Sequence, residues 1–139
     1  MAETALNPVY VRSLKGLSHL ATVVVLLQAV FAGLFTSGEE PDARDLHEVV
    51  ANALFLVVLA QFEAALLVRG ASRYRLHYLV AVLAATVAGQ IGLGYLGRDE
   101  TLAAALHVPL GVLIFGLAVL VSVLASLEDF GEASRTSTR

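Results

Sequence analysis

Four histidines carry most of the ligand chemistry in this chain, and they fall into two pairs. His47 and His107 lie 60 residues apart, and His19 and His77 lie 58 apart. There is no cysteine, which excludes disulfides, thiolate-bound zinc, iron–sulfur clusters and covalently attached c-type haem. Paired imidazoles suit another chemistry. Haem iron takes two axial ligands from opposite faces of a flat porphyrin, and imidazole is a common one. A flat ring needs small residues near each ligand. Gly111 follows His107 by one helical turn and Ala51 follows His47; Ala81 and Ala84 follow His77, and Gly16 precedes His19. For the inner pair, a divalent-cation site completed by Glu63 is the alternative.

Helices must position these groups. The chain has 139 residues, of which 58% are hydrophobic and 15% charged. Soluble domains run to about 45–50% apolar and about 25% charged, so the chain is too oily for that class. Four windows are long and apolar enough to cross a bilayer: about 17–35, 46–68, 76–96 and 102–127. Polar and turn residues separate them (Thr36 to Asp42, Arg69 to Arg73, Gly97 to Glu100). Within hydrocarbon every backbone amide must be satisfied internally, so the spans are helices. The expected architecture is all-α, a single integral-membrane four-helix bundle over residues 1–139 with tails at 1–13 and 129–139. The first span is too long for a cleaved leader and is read as a permanent helix.

Basic residues give the orientation. Arg12, Lys15, Arg69, Arg73, Arg75, Arg135 and Arg139 fall on one side, while only Arg44 and Arg98 fall on the other. By the positive-inside rule both tails are cytoplasmic, and the protein is expected to be multi-pass in the cell membrane. On that reading His19 and His77 share an inner depth, and His47 and His107 share an outer one. The pairs also suggest an internal repeat: Gln28 and Gln90 lie 62 apart, so the bundle reads as a duplicated helical hairpin. Gln28, Asn52, Gln61, Gln90, Thr86 and Ser122 are read as interhelical hydrogen-bonding groups. Glu63 is a proton carrier if buried, or it snorkels to pair with Arg69 or Arg73, the reading favoured. Pro109 either kinks the fourth span beside His107 or lies harmlessly in its first turn.

Particular motifs go further. Gln90-Ile91-Gly92-Leu93-Gly94, then Leu106-His107-Val108-Pro109-Leu110-Gly111, together with Leu46-His47-Glu48, resemble one four-helix half of the haem A synthase family. The chain also resembles short uncharacterised four-helix membrane proteins that share the glutamine–glycine and histidine landmarks. The family resemblance implies a haem between histidines of the second and fourth helices, matching His47 and His107. The family's catalytic half carries a glutamate three residues before the second-helix histidine, where this chain has Arg44. Many members also have paired cysteines in the first outer loop, which are absent here. His19 and His77 lie outside the family pattern.

The leading expectation is a b-type haem protein with bis-histidine ligation, binding one or two haem b per chain and transferring electrons across or within the bilayer. Two stacked haems, at His47 and His107 and at His19 and His77, would sit about 20 Å apart at 1.5 Å per helical residue. Membrane lipid is the surrounding partner, and a quinone or a redox subunit would exchange the electrons. The alternatives are a haem-modifying enzyme of the synthase type and a helper subunit with no cofactor. A net charge of −3 without a basic cluster argues against nucleic acid.

Overall fold

The computed structural model describes residues 7–38, 40 and 42–128. Four helices follow one another: α1 (Pro8–Ser37), α2 (Ala43–Leu67), α3 (Leu76–Leu96) and α4 (Thr101–Leu127). All four are long and apolar enough to cross a membrane. Each packs on its sequence neighbours, and α4 closes against α1, so α1 and α3 are one diagonal and α2 and α4 the other. This is the up-down-up-down bundle that short connections favour. The "upper" end is where α2 and α4 begin.

α1 starts at Pro8, so residues 8–13 are helical and not part of a tail as the hydropathy windows suggest. Asn7 caps it, its side chain accepting from Val9 N at 2.9 Å, with Pro8 in the first turn. The far end closes on Gly38 at φ 79°, a left-handed position suited to glycine. Hydropathy marks the oily part of a helix, whereas capping chemistry marks its end. The tail at 129–139 lies outside the described residues.

The core is a set of stripes with alternating four- and three-residue steps, the spacing of near-parallel helix packing. α1 buries Leu14, Ser18, Ala21 and Val25, and α3 buries Leu76, Val80, Leu83 and Val87. These two stripes coincide after a shift of 62 residues. α2 buries Leu54, Val58, Gln61 and Ala65, and α4 buries Ile114, Ala118, Val121 and Ala125, coincident after a shift of 60. The duplicated hairpin is therefore written in the core. The Gln28–Gln90 and His47–His107 spacings obey it, but the 58-residue spacing of His19 and His77 does not. In core register His19 corresponds to Ala81 and His77 to Lys15. The two inner histidines thus differ in depth by about one turn, roughly 6 Å, instead of sharing a level.

The lower half is filled. Gln61 is fully buried and donates Nε2 to Ser18 Oγ at 2.9 Å, while Ser18 donates to the Leu14 carbonyl at 2.7 Å. Gln61 Oε1 has no partner. Ser18→Ala would leave both ends of this amide unpaired, and should lower stability by about 1–2 kcal/mol in micelle unfolding. Adding Gln61→Leu should recover most of that loss, because it removes the stranded amide.

Glu128 closes the lower end. It is only 4% exposed, and Oε1 accepts from Ser72 Oγ at 2.9 Å and from the Tyr74 amide at 2.8 Å, while its own carbonyl accepts from Lys15 Nζ at 3.1 Å. It ties the α2–α3 connection to the end of α4.

Candidate functional site

The stripes continue upward into smaller and more polar residues. On α2, Leu54 is preceded by Ala51 and His47; on α4, Ile114 is preceded by Gly111 and His107, at the same steps. His47 and His107 therefore project from diagonal helices toward the bundle axis. Their ring centroids are 6.2 Å apart, with the ring planes tilted by 59°. Phe35 of α1 packs edge-on against His47 at 5.7 Å.

Each ring is held by the neighbouring helix of its own hairpin. His47 Nδ1 donates to the Gln28 carbonyl at 3.0 Å, and His107 Nδ1 donates to the Gln90 carbonyl at 3.1 Å. A carbonyl only accepts, so Nδ1 carries the hydrogen and Nε2 of the neutral ring presents a lone pair. The acceptor for His47 is thus the Gln28 main chain. Gln90 grips a second time, its Nε2 donating to the His107 carbonyl at 2.9 Å.

Small residues make the room. A Cβ on Gly94 would stand 3.1 Å from His107 Cε1, and one on Gly111 would stand 3.1 Å from Gln90 Nε2. Pro109 lies inside α4 and donates no amide to the Ala105 carbonyl, so the helix is one hydrogen bond poorer beside His107.

Two cavities meet at the histidine pair. An upper one of about 240 Å³ is lined by Ala51, Gly94 and Ala104, with Arg44, Glu48 and Arg98 at its mouth. Glu48 there pairs with Arg44 at 3.6 Å and with Arg98 at 2.5 Å, and the Arg98 guanidinium lies 4.8 Å over the Tyr95 ring. A lower one of about 400 Å³ is apolar apart from the histidines, Gln28 and Gln90. It rests on Val25, Leu54, Val87 and Ile114, one residue from each stripe.

The pair fits bis-histidine ligation. A ligating imidazole nitrogen stands about 2 Å from a metal, so two on opposite sides of one ion are about 4 Å apart, with the ring centres further out. The 6.2 Å spacing accommodates that. Metal-ligating histidines also donate their other ring nitrogen to a carbonyl or carboxylate, as both do here. A macrocycle further needs open space around the axis, which the upper cavity and the part of the lower cavity between the two rings provide.

Compared with family models, curated proteins and solved structures, the chain matches none. The resemblance to half of a haem A synthase therefore stands on the residues alone.

The inner histidines are placed differently. His19 is exposed on the flank of α1, its Nδ1 2.7 Å from Ser122 Oγ and its Nε2 3.3 Å from Ser126 Oγ. The His77 ring lies tilted by 40° against Tyr78 with centroids 4.1 Å apart, and its Nδ1 is buried without a partner. Ser18, Gln61, Leu83 and Val121 fill the axis between α1 and α3 at this level. Nor does Glu63 complete a cation site there. It is exposed on α2, and among the described residues no group of three metal-binding side chains occurs. Among the described residues Glu63 makes no ion pair, so the expected link to Arg69 or Arg73 is not formed.

The residue types mark the two glutamines as interhelical hydrogen-bonding groups, and Gln90 Nε2 is one. Their main-chain carbonyls, which fix the rings, carry no signature in residue type. Their shared repeat position with the histidines was the available clue.

Proposed function

We propose that this chain is a membrane b-type haem protein that holds one haem between His47 and His107 and exchanges electrons within the bilayer. The observation that supports it best is the histidine pair itself: two rings from diagonal helices at 6.2 Å, each with Nδ1 engaged by a carbonyl, flanked by open cavities. His47 and His107 would hold the iron through Nε2. The Gln28 and Gln90 carbonyls hold tautomer and ring direction, and Gly94 clears the space beside His107. Arg44 and Arg98, at the mouth of the upper cavity, would pair with the carboxylates of a porphyrin by charge-assisted hydrogen bonds. Haem b, when bound, supplies one-electron redox chemistry, while the protein contributes ligands, burial and orientation.

An absorption spectrum of the purified protein, with haem-to-chain stoichiometry, tests this. A low-spin bis-histidine spectrum at one haem per chain is expected. No haem after reconstitution would leave a cofactor-free helper. Two haems would restore ligand roles to His19 and His77 and a path across the bilayer. A product haem carrying an oxidised methyl group would mark the synthase-type enzyme.

The seven-to-two distribution of basic residues supports an orientation with both tails cytoplasmic and the histidine pair near the outer face of the cell membrane. Reporter fusions at Ser37 and Ser72 should report outside and inside; one location for both would overturn the topology.

A further inference from the structure

The lower cavity extends past the histidines to the seam between α1 and α4. That seam is tight below, where Thr22 Oγ1 donates to the Ala118 carbonyl at 3.1 Å across the helices. Above it the cavity is walled by Leu26 and Ala29 of α1 and by Val108, Val112 and Phe115 of α4. Leu26, Val108 and Val112 are also 53%, 68% and 69% exposed on the outside of the bundle. The wall there is one side chain thick, on a face that acyl chains would cover. Gln28 lines this space. Both atoms of its amide, Nε2 and Oε1, are shielded and have no hydrogen-bond partner. Its repeat mate Gln90 places Nε2 on the His107 carbonyl and leaves only Oε1 without a partner, so the two glutamines differ in that Gln28 has both amide atoms free. An unpaired amide in an apolar cavity is costly, and a ligand that offers an oxygen relieves the cost.

We infer that the α1–α4 side of this cavity is a binding site for a bilayer-dissolved molecule of the quinone–quinol class: a flat ring with carbonyl or hydroxyl oxygens on an apolar tail. The amide suits both forms, because Nε2 donates to a carbonyl and Oε1 accepts from a hydroxyl. The apolar walls with Phe115 suit the ring, and the thin wall admits the tail from the lipid. The lower cavity holds about 400 Å³ in all, within the usual range of small-molecule sites, and the ring would take only its α1–α4 side, leaving the part between the histidines to the group they hold. The site would bring an electron carrier beside His107, yet its existence does not depend on what the histidines hold.

The test is calorimetric titration of the purified full chain in lipid nanodiscs with three probes: a decyl-tailed benzoquinone, decylbenzene and dodecanol. The benzoquinone should bind about tenfold more tightly than decylbenzene, the value of roughly one buried hydrogen bond. Gln28→Leu should erase that preference while leaving decylbenzene unchanged. Ala29→Phe, which fills the gap without touching the amide, should weaken both ring probes. Equal binding of the two ring probes to the wild type would overturn the inference. So would a preference that survives Gln28→Leu, or tight benzoquinone binding in Ala29→Phe. Dodecanol binding as tight as the benzoquinone would replace the ring class with a simple lipid hydroxyl and overturn it equally. Haem content is read separately by absorption, so failure of the haem reading leaves these outcomes intact.

Discussion

Replacing His107 with alanine is expected to abolish the bis-histidine spectrum and to lower haem affinity at least about 100-fold. Loss of partners beyond the ligand shell costs 10–100-fold at metal sites, and loss of a ligand itself should exceed that range. His47→Ala should behave the same way, because the two rings would share one iron. The fold should survive both changes. Each histidine lies above the layer of Val25, Leu54, Val87 and Ile114, and the contiguous apolar core lies at or below it. Helical circular dichroism and elution volume should therefore match the wild type while the visible spectrum is lost. His19→Ala and His77→Ala should each leave the spectrum in place, since neither ring points into the open upper half. An unchanged spectrum in His107→Ala would remove this site from consideration.

The reasons some features were legible and others not are physical. α3 and α4 could be bounded closely because each is an apolar run ended by glycine or charge. α1 could not, because its first two turns, Pro8 to Leu14, are amphipathic and announce themselves only through the Asn7 cap. His47 and His107 were legible as a pair because they sit on the core stripes, where the duplication preserves spacing. His19 and His77 misled because a spacing of 58 differs from 62 by about one helical turn. Such an error keeps residues near the same helix face while changing their depth, and only the buried stripes expose it. Glu128 was invisible for another reason. It follows the last apolar residue of α4, and its partners Ser72 and Tyr74 lie more than fifty positions away. A contact between a helix end and a distant loop leaves no periodic trace.

The sequence supplies ligands as side chains, but their aim is set by main-chain groups on α1 and α3 and by how closely those helices approach. That approach depends on side-chain absence, which leads to a sharper test than deleting a ligand.

Gly94→Val should cause a loss of haem approaching that of a ligand deletion while all four histidines remain. A Cβ at position 94 would stand 3.1 Å from His107 Cε1 and 3.6 Å from Nδ1, so even the first added carbon forces the ring to give way. The branched methyls of valine add bulk on the same side. The imidazole can yield only by swinging off the line toward His47, and this also breaks its 3.1 Å hydrogen bond to the Gln90 carbonyl. A freed ring loses both its direction and its tautomer preference, so haem affinity should fall about 10–100-fold. Gly94→Ala should give a smaller loss, because a few tenths of an ångström of ring movement relieves its contact. Stability should not fall in parallel. Glycine is the poorer helix former, by up to about 1 kcal/mol relative to alanine, so both variants should unfold no more easily than the wild type. Gly92→Val supplies the control: it lies on the same helix, and a Cβ there would meet nothing within 4 Å. It should bind haem like the wild type. Equal haem content in Gly94→Val and Gly92→Val, measured by pyridine haemochrome per chain, would show that His107 need not hold its present position, and the ligand geometry proposed here would have to be abandoned.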